Sequence, residues 1–562
     1  MRPDVLHAEP TPRGDIRPLQ RALVFAFARA GGDDALACAA SLTELAESRW
    51  RPECFADDLF LDELVEGCFD VSIDGQRVPI DRRRLLQVLA HPPADPRHVE
   101  FRQEILRELV DSPLHRASLE RCYLALVALR AALGGSDALR SRSASTQRRI
   151  EILQAIRAAI DVLAGAFESA RSGLKRLGAY GRHVTASSSY ERLAQLLDFE
   201  NQRAILETRL QVGYDGRLRR FEIIRVSEAA HPAFAASPLG RFWRRLTSLL
   251  RGHRFSDDDV LSRLLDEVFT DLEDVLLVLL PLMNDLEFYL AALCFRDRCQ
   301  RSGLEVCLPE IDFEPAGRAE RHVEGLFNPW LLAQRAGPPV PCDLHQVPAH
   351  ATVILTGPNS GGKTRLLQAL AVTQVLGQGG VFVPARAARL AWSEGMFLSL
   401  LERVSPEQSE GRLGTELLRI RSVFESSPVG AVIILDELCS GTNPSEGEEI
   451  FQLVLSLFDE LEPQVLISTH FLDFAGRLEQ RQRNGQGAGR PLAFLQVELD
   501  ERELPTYQFV PGVAKTSLAR KTAARLGVTR EELLSLVERR RGGGAPPTTR
   551  PAPLPLSGDP SG

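Results

Sequence analysis

The sequence predicts a multidomain α and α/β protein, mainly helical over its first half and built around a central, mostly parallel sheet over its second. Three observations carry this reading. Residues 16 to 345 hold long stretches with apolar side chains at three- and four-residue spacing, such as Leu119-Tyr123-Leu126-Leu129-Leu133 and Ile152-Leu153-Ile156-Ile160-Leu163, the stripe left by helices that bury one face. From Val353 onward the period changes to short continuous apolar runs, Val353-Ile354-Leu355, Ala431 to Leu435 and Gln464 to Ser468, which suit strands covered on both faces. A chain of 562 residues, 44% of them apolar, is long enough for three or four domains with cores of their own.

Taken in order, residues 1–80 read as an N-terminal helical region and 81–315 as a helical body. Within that body, near 205–255, lies an insertion of different character. There Leu210-Gln211-Val212-Gly213-Tyr214-Asp215-Gly216 and Phe221 to Val226 read as a hairpin turning at Asp215-Gly216. Residues 316–541 read as the α/β part, closing on a helical segment from Glu531 to Arg541. The remainder, 542–562, is Pro, Gly and Ser-rich and expected to be disordered.

A net charge of −8 gives no global basic footprint, so contact with nucleic acid has to be local. The N-terminus lacks a basic-then-apolar leader pattern, and the longest interior apolar run, Val275 to Met283, is short for a membrane span and contains Pro281. A cytoplasmic protein without membrane partners is therefore expected. Nine scattered cysteines without Cys-x-x-Cys pairs are read as reduced, mostly buried thiols.

The motif of greatest consequence is Thr356-Gly357-Pro358-Asn359-Ser360-Gly361-Gly362-Lys363-Thr364, set between an apolar strand and an amphipathic helix. Its glycines let the backbone curl with N–H groups toward phosphate oxygens, and the following helix adds its positive terminus. Lys363 is expected to reach the β- and γ-phosphates of ATP or GTP, and the Thr364 hydroxyl to coordinate Mg²⁺. Only four of the 67 basic residues are lysine, so a lysine here stands against a strong arginine bias. About seventy residues on, Asp436-Glu437 closes an apolar strand; Asp436 can hold Mg²⁺ through water and Glu437 can deprotonate the attacking water. A third strand delivers Thr469-His470 to the same sheet edge, where His470 can sense the γ-phosphate.

These segments carry a family resemblance. TGPNSGGKT, then Gly380 to Ala385 (GVFVPA), Leu435 to Gly447 (LDELCSGTNPSEG) and Ser468 to Phe471 (STHF) occur in the order found in the ATPase domain of the MutS family of DNA repair proteins. Pro505 to Val528 is similar to the branch whose longer members carry a C-terminal Smr nuclease module. The resemblance implies a helical core and lever followed by an ABC-type P-loop ATPase domain, with ATP and Mg²⁺ as cofactors and a homodimer that acts on mismatched, branched or duplex DNA. It further implies that Thr415, in Gly411-Arg412-Leu413-Gly414-Thr415-Glu416, is offered across the dimer. Gly414 stands where the family commonly has Ser and Glu416 where Phe is common. Preference for adenine is implied by the resemblance alone, since Pro339 to Leu344 offers no aromatic ring.

Between Asp215 and Arg254 nine arginines face three acids, with Phe242 and Trp243 interleaved. Arg217, Arg219, Arg220, Arg241, Arg244 and Arg245 are the candidates for DNA contact. An Arg-rich helix burying Trp243 and Leu246, or one lying on a membrane surface, has the same pattern. The insertion is shorter than the family's DNA-gripping clamp, too little chain precedes Leu85 for the mispair-reading module, and no nuclease chemistry is visible. The expectation is an ATPase whose output is conformational; the alternative is a nucleotide-gated scaffold for protein or ribosomal partners.

Overall fold

The computed structural model describes residues 3–10, 16–28, 45–134, 142–200, 205–212, 218–227, 257–313, 320–333, 339–358, 361–400, 412–439, 443–486, 489–515 and 528–541. The first part runs α1 (Arg17–Ala28), α2 (Leu61–Cys68), a short hairpin of β1 (Val71–Ile73) and β2 (Gln76–Val78), α3 (Arg82–Ala90), α4 (Pro96–Asp111), α5 (Pro113–Gly134), α6 (Arg142–Ala164), α7 (Lys175–Thr185), α8 (Ser188–Glu200), β3 (Ile205–Val212), β4 (Leu218–Ser227), α9 (Asp257–Asp271) and α10 (Glu273–Arg301). The second part runs β5 (Glu310–Asp312), β6 (Glu320–Leu326), β7 (Cys342–Pro348), β8 (Thr352–Thr356), α11 (Lys363–Gly379), β9 (Ala387–Ala391), β10 (Met396–Ser399), α12 (Arg412–Ser426), β11 (Val432–Leu435), α13 (Pro444–Leu461), β12 (Gln464–Ser468), α14 (Leu472–Arg483), β13 (Leu492–Leu499), β14 (Pro505–Pro511) and α15 (Arg530–Arg541). The chain is thus mixed helical and α/β, with several sheets.

Helix starts follow local chemistry. Asp81, Asp95 and Asn443 each accept a backbone N–H of the first turn, from Arg84, Arg97 and Ser445, and Pro96 and Pro444 open their helices with φ already set. The periodic apolar residues of α5 and α6, Leu119 to Leu133 and Ile152 to Leu163, are buried in one continuous core. At its centre lies α10, where the run from Val275 continues past Pro281 into a helix of 29 residues. By length and composition this helix is apolar enough to cross a membrane, but 94% of its most apolar window is buried inside the fold, as for a helix packed on all sides by other helices. The described cysteines are free thiols, buried or half-buried.

The hairpin read at Arg209 to Val226 is present as the antiparallel pair β3 and β4, with Val212 opposite Leu218; its turn lies outside the described residues. A four-stranded sheet, ordered β5-β9-β6-β7, has no counterpart in the sequence reading. Its strands are short and β6 mixes Glu320, Arg321, His322 and Glu324 with only two buried apolar residues, so no apolar run announces it.

The six-stranded sheet has the order β10-β11-β12-β8-β13-β14, with parallel pairing from β10 through β13 and β14 antiparallel at the edge. Alternate residues of its strands enter different cores. Val353, Leu355, Val432, Ile434 and Leu466 face the core shared with the helical part, whereas Ile354, Ile433, Leu435, Val465 and Ile467 face a second core under α13 and α14. Period-two alternation on a sheet covered on both sides produces this division. Helix α11 is buried along nearly its whole length, because the sheet covers one side and α3 and α4 approach the other. Arg102 of α4 donates to the carbonyls of Leu6 (3.0 Å) and Gly379 (2.8 Å), tying the N-terminal segment to the end of α11.

Candidate nucleotide-binding site

Strand β8 ends at Thr356, and the chain must reverse at once to start α11. Gly357 (φ 139°) and Gly362 (φ 87°) occupy backbone conformations that a side chain resists. A Cβ on Gly357 would also stand 2.6 Å from Val497 Cγ2 of β13, so the loop lies directly against its neighbouring strand. Lys363 follows, 3% exposed, with Nζ donating to the carbonyls of Gly357 (2.9 Å) and Pro358 (3.2 Å). Burial lowers its pKa, while Glu437 and Asp436 push it upward. The loop therefore closes on a desolvated ammonium beside the free N–H groups of a helix start, a combination suited to a phosphate anion. Asn359 and Ser360 lie outside the described residues.

The ends of β11 and β12 complete the cluster. The Thr364 hydroxyl donates to Asp436 Oδ2 over 2.5 Å. The Ser468 hydroxyl donates to the other oxygen, Asp436 Oδ1, and accepts the backbone N–H of Glu437 (2.9 Å). His470 Nε2 lies 2.6 Å from Glu437 Oε1. Asp436 is raised above its ordinary value, chiefly by burial, and a cation placed against it would offset that cost. Hard oxygens from Thr364 and Asp436, two protein donors beside a phosphate cradle, fit Mg²⁺, which keeps several waters and phosphate oxygens as its remaining ligands. Glu437 is lowered, first by its hydrogen bond with His470, so its carboxylate is kept ionised and able to accept a proton. Its backbone is left-handed (φ 54°), as is that of Cys439 (φ 62°); non-glycine residues in this region store strain that the surroundings must hold.

Three residues absent from the candidate set join the site. Ser468 joins the Asp436 carboxylate to the backbone of Glu437. Glu416 of α12 accepts the backbone N–H of Cys439, so this carboxylate has a partner within its own chain. Tyr507 of β14, 46% exposed and left-handed (φ 62°), sets its ring so close to the loop that a Cβ on Gly362 would lie 3.2 Å from it. Its neighbour Gln508 donates to the Pro341 carbonyl (2.9 Å), which ties β14 to the residue before β7. Sequence held a signal for each, since Ser468 and Tyr507 sit in the STHF and PTYQFVPG phrases and Glu416 adjoins Thr415, but only pairing across strands shows the contacts.

Thr415 lies in the first turn of α12. Arg219 and Arg220 lie on β4, which pairs only with β3 among the described residues; Arg217, Arg241, Arg244 and Arg245 fall outside the described residues.

Residues 353–531, from the strand before the loop to the start of α15, match the MutS domain V family. The chain carries a MutS domain V. The MutS2 endonuclease of Thermus thermophilus is 30% identical over 181 residues, 32% of this chain and 23% of that protein. That of Levilactobacillus brevis is 32% identical over 182 residues, 32% and 22% of the two chains, and that of Thermomicrobium roseum 28% identical over 236 residues, 42% and 27%. The matched part of the chain thus spans about a quarter of the length of these relatives, and that part is similar to the MutS2 branch of the MutS family.

Proposed function

We propose that this chain is a Mg²⁺-dependent ATPase that acts as a dimeric, DNA-binding conformational switch of the MutS type. The observation that carries the ATPase reading is the meeting of Lys363, Thr364, Asp436, Glu437, Ser468 and His470 at the ends of β8, β11 and β12. Ligands of open α/β sheets sit at this edge, outside the carboxyl ends of the strands.

On this reading residues 357–364 cradle the triphosphate, and Lys363 leaves its two carbonyl partners to meet phosphate oxygens. Thr364 and Asp436 hold Mg²⁺, whose charge neutralises that of the phosphates. The Glu437 carboxylate takes a proton from the attacking water, and His470 keeps that carboxylate aimed and ionised. Tyr507 takes one face of the adenine. Thr415 acts across a homodimer, and the arginines at 217, 219, 220, 241, 244 and 245 contact DNA phosphates. The matching division is an N-terminal region to 80, a helical core and lever over 81–315 and the ATPase over 316–541.

ATP turnover of the purified chain, measured with and without duplex, mismatched and four-way-junction DNA, tests the reading. Stimulation by one form is expected and names the substrate; turnover indifferent to all three favours a nucleotide-gated scaffold for protein partners. Glu437→Gln should lower turnover about 100-fold or more while ATP still binds. Unchanged turnover in that variant removes Glu437 from its role.

A further inference from the structure

Outside the nucleotide cluster, the four-stranded sheet carries a second group of ligating side chains. Strands β6 and β7 are antiparallel, with Arg321 opposite Val347, Val323 opposite Leu344 and a shift of register between them. That register sets His322 of one strand beside His345 of the other, ring centroids 5.1 Å apart and tilted by 35°. Glu324, two residues from His322 and so on the same face, brings Oε1 to 3.0 Å from His322 Nε2. One ligand atom from each of His322, Glu324 and His345 lies within 4.8 Å of the others. Asp343 Oδ2 lies 4.0 Å from His345 Nε2.

The two carboxylates are held from behind. Arg386 Nη2 contacts the second oxygen of Glu324 at 3.2 Å, and the backbone N–H of Gly325 donates to Asp343 Oδ1 at 2.6 Å. Gly325 is itself left-handed (φ 63°), which turns its N–H away from the regular ladder. Each acid thus has one oxygen anchored from behind and the other turned toward an imidazole, the arrangement in which outer partners orient metal ligands. Half-exposed imidazoles can reach a common point by modest χ rotation, with solvent supplying a further ligand.

We propose that His322, Glu324 and His345, with Asp343 at hand, form a binding site for a borderline divalent transition-metal ion, Zn²⁺ foremost. Two imidazoles and a carboxylate are a donor set for Zn²⁺ at about 2.0–2.2 Å in tetrahedral geometry, and imidazole disfavours the Mg²⁺ expected at Asp436. The site spans two strands, one of which, β7, is the edge of its sheet and leads through Pro348 into β8 and the phosphate loop. A bound ion would staple that edge.

The experiment is Zn²⁺ titration by calorimetry on the EDTA-treated full chain under reducing conditions, with Co²⁺ absorption as a report on donors. Roughly one equivalent should bind to this site, Co²⁺ should give d–d bands from nitrogen and oxygen donors, and Zn²⁺ should raise the unfolding temperature. His322→Ala/His345→Ala should weaken this binding at least about tenfold and abolish the thermal shift, while its unfolding temperature in EDTA stays that of the parent. Asp436→Asn should leave Zn²⁺ binding unchanged. The proposal is overturned if the parent binds no Zn²⁺, if the double variant binds it equally, or if the Co²⁺ spectrum is dominated by thiolate charge transfer.

Discussion

His470 Nε2 stands 2.6 Å from Glu437 Oε1, a contact between the residues that follow two neighbouring parallel strands, β12 and β11. The bond is the first cause of the depressed pKa of Glu437. Under the proposed reading a base of depressed pKa sustains turnover until pH falls through that value, so the acid limb of the pH–rate profile lies below that of an ordinary glutamate. His470→Ala removes the main depressing partner and leaves burial opposing ionisation. The acid limb should then move to higher pH, with turnover at neutral pH reduced; a limb that stays in place would show that His470 does not tune Glu437.

Tyr507 against Gly362 predicts a binding effect separable from catalysis. If the ring takes one face of the base, Tyr507→Ala should weaken nucleotide binding roughly tenfold, as expected for loss of one base–aromatic stack, and Tyr507→Phe should restore it. Titration with a fluorescent ATP analogue reads both. Equal affinity in all three proteins would leave the ring as a packing element of β14.

Glu287 gives a pH dependence of stability in the helical part. It is 2% exposed, accepts the Asp81 N–H (2.7 Å) and the Tyr123 hydroxyl (3.0 Å), and burial pushes it up to about 7 from 4.5. A folded-state pKa above the unfolded one means that the stabilising contribution is full below about pH 4.5 and is lost as pH rises through about 7. The loss amounts to about 3 kcal/mol, an order-of-magnitude figure. Glu287→Gln keeps the contacts, since Tyr123 can turn to the Pro79 carbonyl (3.2 Å). Its unfolding temperature, set against that of the parent, should therefore gain progressively from about pH 5 to just above about pH 7 and then level off. A constant difference across that range would count against the raised pKa.

Arg102 is the joint between the helical part and α11. Its side chain is 2% exposed, bonds Leu6 and Gly379 and lies over the Phe288 ring at 5.2 Å. Arg102→Leu strands two buried carbonyls and should destabilise the fold by about 3 kcal/mol, read as an earlier midpoint in urea unfolding followed by tryptophan fluorescence. Lys at this position, with a compact head in place of the fork, should recover only part of the loss.

Much of the candidate site is legible in the residues because its chemistry is local. The loop glycines, Lys363 and Thr364 are contiguous, Asp436-Glu437 and His470 each follow an apolar run, and the strands end within a residue or two of the expected positions. The helical stripes at Leu119 to Leu133 and Ile152 to Leu163 are legible for the same reason, since period follows from burial of one face. The four-stranded sheet is not, because β6 and β7 are half polar and are defined by pairing rather than by pattern.

By itself, then, the sequence determines which segments become helices and buried strands and which residue types can bind phosphate and Mg²⁺, since periodicity and contiguous motifs act over a few residues. Tertiary structure alone decides that Ser468 links the Asp436 carboxylate to the Glu437 backbone, that Glu416 caps Cys439, that Tyr507 reaches Gly362 and that His322 meets His345. Those relationships depend on strand order, register and the sharp turns at Gly357 and Glu437, which join residues far apart in the chain through contacts that no local pattern encodes.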